Sequence, residues 1–133
     1  MNKLIIDGSN TILGRLASHA AKQALLGKDV VILNCENIML SGRRSKTLEF
    51  YKIIRAKGGH AQKGPYFPTQ PAMIAKRTIR GMLSHKEGRG AVAFKKIKCY
   101  EGIPKEFAEA KKEKLEHSKA GVLSLRELSE ELR

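Results

Sequence analysis

Acidic residues are scarce in this sequence of 133 residues, where 13 Asp and Glu stand against 26 Lys and Arg and leave a formal net charge of +13. A globular enzyme for small substrates rarely needs such an excess, whereas a protein that binds a phosphate-bearing partner does. Cysteine is scarce too: Cys35 and Cys99 lie far apart without a Cys-x-x-Cys pattern, which favours a reduced cytosolic protein. No run of about 18 apolar residues occurs, so we expect no membrane span. Asp7 comes too early for a signal peptide.

The acids are missing mainly from the middle of the chain. Residues 38–100 hold fifteen basic residues but only Glu49 and Glu87, a net charge of +13, whereas the segments before and after carry +1 and −1. Solvated lysines more often alternate with acids, as they do in residues 105–119. The distribution therefore favours one directed basic surface over a merely soluble basic face.

Hydrophobic periodicity predicts a βαβ unit at the start of the chain. Residues 4–6 and 30–33 are short apolar runs typical of buried strands. The segment between them has helical periodicity and is expected to stop at Gly27. Its apolar face comprises Leu13, Leu16, Ala17, Ala20 and Ala24.

Further helices are expected in the basic segment. Residues 43–56 place Phe50, Ile53 and Ile54 on one face, which we expect to pack on the core. The next helix begins near Pro71. Its predicted core face is Ala75, Ile79, Met82 and Leu83. A short helix over 91–96 and a half-buried strand over 97–99 follow.

The last part of the chain changes in character. Residues 105–119 alternate in charge and are expected to form an exposed helix or a mobile tail. Ser124 and Glu127 form a capping box, with Leu123 and Leu128 placed as a hydrophobic staple, and predict a terminal helix that docks through its leucines. We therefore expect one core over residues 1–104 with a basic loop over 57–71. Residues 105–133 are predicted to be a charged, partly helical extension rather than an independent domain.

Catalytic motifs find little support. The segment from Gly8 to Arg15 follows a strand and precedes a helix, but its glycines are separated by five residues and no Lys-Ser or Lys-Thr pair follows, as a phosphate-binding loop requires. The four histidines do not cluster at metal-ligand spacing, so no metal site is expected. No cofactor or small-molecule substrate is predicted either. A nucleotide- or RNA-processing α/β enzyme stays open as an alternative, because the chain begins with a βαβ unit.

The basic segment itself has a clear physical use. Arg and Lys replace the counterions condensed on phosphates, and Arg binds phosphate bidentately. Glycine-rich turns bring backbone N–H groups close to phosphates. Scattered cations, loops and few aromatics fit folded RNA better than duplex DNA, for which no recognition-helix layout is visible. A general RNA-binding module remains a second alternative.

Three segments resemble one family. They are residues 14–18 (GRLAS), residues 31–36 (VILNCE) followed by Leu40-Ser41-Gly42, and residues 76–86 (KRTIRGMLSHK) continuing through Arg89-Gly90 to the KCYEG of residues 98–102. Together they resemble the L-thirteen family of large-subunit ribosomal proteins in its archaeal and eukaryotic form. The likeness covers residues 4 to about 104. It implies a three-layer α/β/α fold around a small, mostly parallel sheet of about four strands.

The resemblance also implies a structural, non-catalytic role in the large ribosomal subunit, where the protein binds ribosomal RNA (rRNA), meets neighbouring ribosomal proteins and supports subunit assembly. Cys35 and Cys99 stand where relatives often have alanine or valine, which implies small core residues. From the motif and the basic segment together we predict RNA contacts by Arg43, Arg44, Lys46, Lys52, Arg55, Lys57, His60, Lys63, Tyr66, Lys76, Arg77, Arg80, His85, Lys86, Arg89, Lys95, Lys96 and Lys98.

Overall fold

A parallel four-stranded sheet organises the protein, for which a computed structural model describes residues 3–56, 68–114 and 123–132. In chain order the elements are β1 Lys3–Asp7, α1 Leu13–Leu25, β2 Asp29–Leu33, β3 Met39–Leu40, α2 Arg44–Ala56, α3 Pro71–Arg80, α4 Gly88–Lys95, β4 Ile97–Cys99, β5 Glu113–Lys114, β6 Leu123–Ser124 and α5 Leu125–Leu132. The sheet has the order β4-β2-β1-β5, and each neighbouring pair is parallel. The predicted α/β fold around a small, mostly parallel sheet is therefore confirmed.

The predicted βαβ unit is β1, α1 and β2. The two strands pair in register from Lys3 opposite Asp29 to Asp7 opposite Leu33. Helix α1 buries its predicted apolar face and ends in a Schellman motif, in which the N–H groups of Gly27 and Lys28 donate to the carbonyls of Ala24 and Gln23. Gly27 has φ +98°, a left-handed conformation that glycine adopts without strain.

The pleat of the strands divides the apolar residues between two faces of the sheet. Val30, Ile32 and Ile97 point into the main core beneath α1 and α3. Val31 and Leu33 point to the opposite face, where they pack with Phe107. The continuous apolar run of β2 thus serves two separate clusters.

Helix α5 closes the main core as predicted. Ser124 Oγ accepts a hydrogen bond from the Glu127 N–H at 3.2 Å, and Leu123 and Leu128 are fully buried. Strand β6 pairs antiparallel with β3 just before the helix begins. Leu125 and Leu132 complete its buried face.

Three expectations about packing are wrong. Phe50 and Ile53 of α2 are 58% and 53% exposed, because Leu48, Tyr51 and Ile54 form the face of that helix that packs on the core. Met82 is exposed because α3 ends at Arg80 and the chain leaves the helical repeat before reaching it.

Residues 105–114 also differ from the exposed helix or mobile tail that the alternating charges of residues 105–119 suggested, and residues 115–119 lie outside the described residues. Residues 105–107 form a 3-10 turn that buries Phe107, and β5 adds an edge strand beside β1. One buried aromatic residue and a strand of two residues leave the charge alternation of this segment unchanged, so the sequence pattern did not reveal them.

Candidate nucleic-acid interface

Helix α3 carries three cations on the side turned away from the core. Ile74, Ala75 and Ile79 are buried, which fixes the rotation of the helix. At 3.6 residues per turn, Lys76, Arg77 and Arg80 then fall on its flank, where the structure leaves them partly exposed. The predicted orientation of these three residues is confirmed.

A series of turns over residues 81–87 presents the next basic side chains. The Leu83 N–H donates to the Arg80 carbonyl at 3.2 Å, and the buried Leu83 side chain anchors the turns to the core. His85 Nδ1 lies 3.2 Å from the same Arg80 carbonyl oxygen. The turn is therefore tied back to the end of α3, with Lys86 exposed on it.

Gly90 allows α4 to pack directly against this turn. A Cβ atom at Gly90 would stand 2.2 Å from the carbonyl oxygen of Ser84 and 2.7 Å from its nitrogen, and both are backbone atoms. Only glycine fits such an approach without a shift of the main chain. The contact holds the start of α4, with the exposed Arg89, against the turn that carries Lys86.

Phe94 is a contributor that sequence reasoning missed. Lys76 Nζ lies 5.1 Å from the centre of its ring, and the rings of Phe94 and His85 are 6.4 Å apart in an edge-on arrangement. Such cation–π and edge contacts restrict both basic side chains. The only signal in the sequence was a single aromatic residue in the short helix expected over 91–96.

We refer to Lys76, Arg77, Arg80, His85, Lys86 and Arg89 together as the helical surface. Residues 71–90 contain five Lys and Arg against the single acid Glu87. No ion pair within residues 3–56, 68–114 and 123–132 involves Lys76, Arg80, Lys86 or Arg89. The result is a fixed concentration of positive charge, which suits the phosphates of a nucleic acid.

The predicted cations of α2 instead meet α5. Arg44 binds the Glu127 carboxylate, and this hydrogen bond holds the pKa of Glu127 below its ordinary value. Lys52 Nζ lies 3.8 Å from Glu131 Oε2. Arg55 Nε donates to the Leu132 carbonyl at 3.1 Å. Arg43 and Lys46 lie at the exposed start of α2.

The remaining predicted residues fall elsewhere. Lys95, Lys96 and Lys98 lie at the end of α4 and on β4, beside a groove on the second face of the sheet. Lys57, His60, Lys63 and Tyr66 lie outside the described residues. Sequence reasoning thus proposed one basic surface, whereas the described residues separate into distinct groups.

Gly8, in the turn after β1, allows the backbone to pack closely against neighbouring residues. The Gly8 N–H donates to the Leu33 carbonyl at 2.9 Å, and a Cβ atom there would stand 2.8 Å from Ile38 Cγ1. The next N–H groups are also used internally, since Ser9 donates to Asp7 Oδ1 and Asn10 to the Asn37 carbonyl. This turn packs strand against loop instead of forming a cradle for phosphate.

Residues 3–56, 68–114 and 123–132 also lack two features of other protein classes. Across these ranges no helix has the length and apolar character needed to cross a membrane. The same residues contain no cluster of three or more His, Cys, Asp or Glu side chains arranged to hold a metal ion.

Comparison with known proteins identifies the family. A family model described as "Ribosomal protein L13" matches residues 1–106. The chain belongs to the ribosomal protein L13 family. A relative from Methanococcoides burtonii, named "Large ribosomal subunit protein uL13", is 46% identical over 106 residues, which cover 80% of this chain and 76% of the relative. A relative of the same name from Thermoplasma volcanium is 39% identical over 132 residues, which cover 96% of each chain.

Membership of the ribosomal protein L13 family confirms the resemblance drawn from the three segments. It also confirms the prediction of a non-enzymatic protein, because the family is one of ribosomal components. The match to the Thermoplasma volcanium protein continues beyond residue 106. The likeness therefore extends into the part of the chain that contains β5 and α5.

Proposed function

We propose that the protein is a structural component of the large ribosomal subunit that binds rRNA through the helical surface and supports subunit assembly. The observation that carries the proposal is the rigid convergence of basic side chains from α3, the turn and α4, locked by the Gly90–Ser84 backbone contact. The names of the relatives support the ribosomal setting.

The geometry favours recognition of folded RNA by shape and charge. The cations of the helical surface would displace counterions from phosphates, which gives strong and salt-sensitive affinity. Arg80 and Arg89 bring planar guanidinium groups suited to bidentate phosphate contacts. A packed backbone already holds these cations near one another, so less conformational entropy is lost on binding than if they lay on separate flexible segments.

Assembly support follows from rigidity. A small protein with a packed core fixes the relative positions of every phosphate that it contacts, and thereby stabilises one arrangement of the RNA. We propose that Arg43 and Lys46 extend this contact, together with Lys57, His60, Lys63 and Tyr66 of the predicted loop. In this proposal the main role of Arg44, Lys52 and Arg55 is to hold α2 against α5.

We also propose that residues 1–104 act as the RNA-binding core and residues 105–133 as its extension. The extension supplies β5 to the sheet and α5 to the main core. Its role is therefore to stabilise the core rather than to fold and act by itself.

Filter binding tests the proposal with large-subunit rRNA from an organism that carries one of the relatives, such as Methanococcoides burtonii. We expect R80Q/R89Q to weaken binding by roughly tenfold and to reduce the slope of log K against log salt by about 2, because two phosphate contacts are lost. The control K22Q/K111Q removes the same charge from exposed positions outside the helical surface and should change binding little.

Two results would contradict the proposal. Equal weakening by R80Q/R89Q and K22Q/K111Q would show that only net charge matters, and equal affinity for small-subunit rRNA would remove the assignment to the large subunit. Urea unfolding of both variants separates a lost contact from a lost fold, since all four side chains are at least partly exposed.

A further inference from the structure

Cys35 and Cys99, which lie far apart in the sequence, come together where β2 and β4 end. Cys99 is the last residue of β4 and pairs with Ile32 of β2. Cys35 begins the 3-10 turn that follows β2, and its N–H donates to the Tyr100 carbonyl at 3.1 Å. The backbone of Cys35 is therefore hydrogen-bonded to the residue that directly follows Cys99.

The two thiols enter the core from the same face of the sheet. Cys99 lies two residues after Ile97 on β4, so both side chains point toward the main core. Cys35 is fully buried in that same core. Its sulfur lies 3.7 Å from the carbonyl oxygen of Ile32, the residue opposite Cys99 in the sheet. Both side chains thus lie beside Ile32.

The surroundings of the two thiols differ. A hydrogen bond to Cys99 and burial raise the pKa of the Cys35 thiol, which therefore stays protonated at neutral pH. Cys99 is only partly buried, so a small reagent in water reaches it before it reaches Cys35. The chain contains no other cysteine, and a disulfide within one molecule can join only this pair.

We propose that Cys35 and Cys99 form a reversible oxidation site, at which a peroxide converts the two thiols into a disulfide between the end of β4 and the turn after β2. Cys99 is the thiol that the peroxide meets first, and Cys35 is the resolving thiol behind it. Disulfide formation protects Cys99 from irreversible oxidation to the sulfinic acid. This inference does not depend on the binding of RNA.

The oxidation takes two steps. The Cys99 thiolate attacks hydrogen peroxide: an S–O bond forms, the O–O bond breaks, and the released hydroxide takes up the proton lost by the Cys99 thiol as water. The sulfur is thereby oxidised to a sulfenic acid. Cys35 then attacks the Cys99 sulfur: an S–S bond forms, the S–O bond breaks, and the departing hydroxide leaves with the Cys35 thiol proton as a second water. One peroxide thus consumes two thiols and gives one disulfide and two water molecules.

Mass spectrometry of the full chain after treatment with an equimolar amount of hydrogen peroxide tests the inference. We expect the wild-type monomer to lose the mass of two hydrogen atoms. An Ellman assay of the unfolded protein should then find no free thiol, and both thiols should return after dithiothreitol. Because the disulfide closes a long loop, it should raise the urea midpoint by roughly 1 M.

Two variants separate the roles of the thiols. Cys35→Ala should stop at a Cys99 sulfenic acid that dimedone traps, and in excess peroxide it should proceed to the sulfinic acid. Cys99→Ala should keep its Cys35 thiol under the same treatment, because that side chain is fully buried. Neither variant should show the rise in urea midpoint. Urea unfolding before oxidation checks that both variants fold.

Four outcomes with the wild type would overturn the inference. Retention of both thiols would show that the peroxide does not reach Cys99. A sulfinic acid at Cys99 beside a free Cys35 thiol would show that the two sulfur atoms do not meet. Disulfide-linked dimers in place of the monomeric disulfide would show that Cys99 reacts outward. A disulfide that forms only in urea, or that lowers the urea midpoint, would show that the native fold does not accommodate the bond.

Discussion

Replacing Gly90 with alanine tests the contact that builds the helical surface. The new methyl group would lie 2.2 Å from the Ser84 carbonyl oxygen, 2.5 Å from its carbon and 2.7 Å from its nitrogen. Backbone atoms cannot rotate away as a flexible side chain does, so the turn and the start of α4 must separate. Overpacking of this kind costs about 1–3 kcal/mol, whereas alanine in place of glycine in a helix ordinarily gains about 0.5–1 kcal/mol.

The balance predicts a net loss of about 1–2 kcal/mol in the free energy of unfolding of Gly90→Ala, which lowers the urea midpoint by roughly 1 M. RNA affinity should fall as well, because Lys86 and Arg89 no longer hold their relative positions. Gly14→Ala is the matched control, since a Cβ atom at Gly14 in α1 meets nothing within 4 Å. It should be neutral or stabilising. A Gly90→Ala protein as stable as Gly14→Ala would refute the reasoning.

Three further predictions concern the core and its titrating groups. Phe107→Ala should lower the free energy of unfolding, measured by urea titration, by about 3–5 kcal/mol, because it leaves a cavity beside Val31. A loss as small as that of an exposed residue would contradict the buried position of Phe107. Burial alone would raise the pKa of Asp7, but hydrogen bonds from Asn34 and Ser9 hold it below the ordinary value of 3.8. The stability that Asp7 contributes should therefore be present above about pH 4 and lost as the pH falls through its lowered pKa, and Asp7→Asn should flatten this acid limb of a pH series of urea titrations. Hydrogen bonding to Cys99 and burial raise the pKa of the Cys35 thiol. Ellman's reagent should therefore label Cys99 first and Cys35 only on unfolding, and equal rates would be evidence against the buried thiol.

The parts of the fold that were predictable are those whose signals are local. The apolar face of helix α1 and the Gly27 that ends it lie within one segment, so the sequence predicted both the bounds and the packing of this helix. The capping box of Ser124 and Glu127 is equally local. Such features depend on neighbours three or four residues away and need no knowledge of the rest of the chain.

Helix α2 shows where local signals fail. Its sequence holds two competing apolar stripes, one with Phe50 and Ile53 and one with Leu48 and Tyr51, and both have helical spacing. Packing of Leu48, Tyr51 and Ile54 on the main core decides the orientation. That core includes α5, more than seventy residues later, which also pairs with Arg44 and Lys52. No periodicity within residues 43–56 contains that information.

The candidate interface was predictable in composition but not in arrangement. The charge count identified the basic segment, and the orientation of α3 followed from its apolar face. Lys98 lies on the face of the sheet opposite α3 because it pairs with Val31 in the register of β4 against β2, which is a long-range property. Lys3 also lines the groove on the second face of the sheet. The sequence did not predict this, because a lone lysine at the start of a strand gives no signal of its own.

Co-sedimentation with large ribosomal subunits through a moderate-salt gradient is the most direct test of the central claim, that the helical surface binds rRNA in the large subunit. Wild type and K22Q/K111Q should travel with the large subunit, while R80Q/R89Q should shift toward the top of the gradient and shift further as salt rises. Wild-type protein that stays at the top, or R80Q/R89Q that sediments as fully as the control, would contradict the claim.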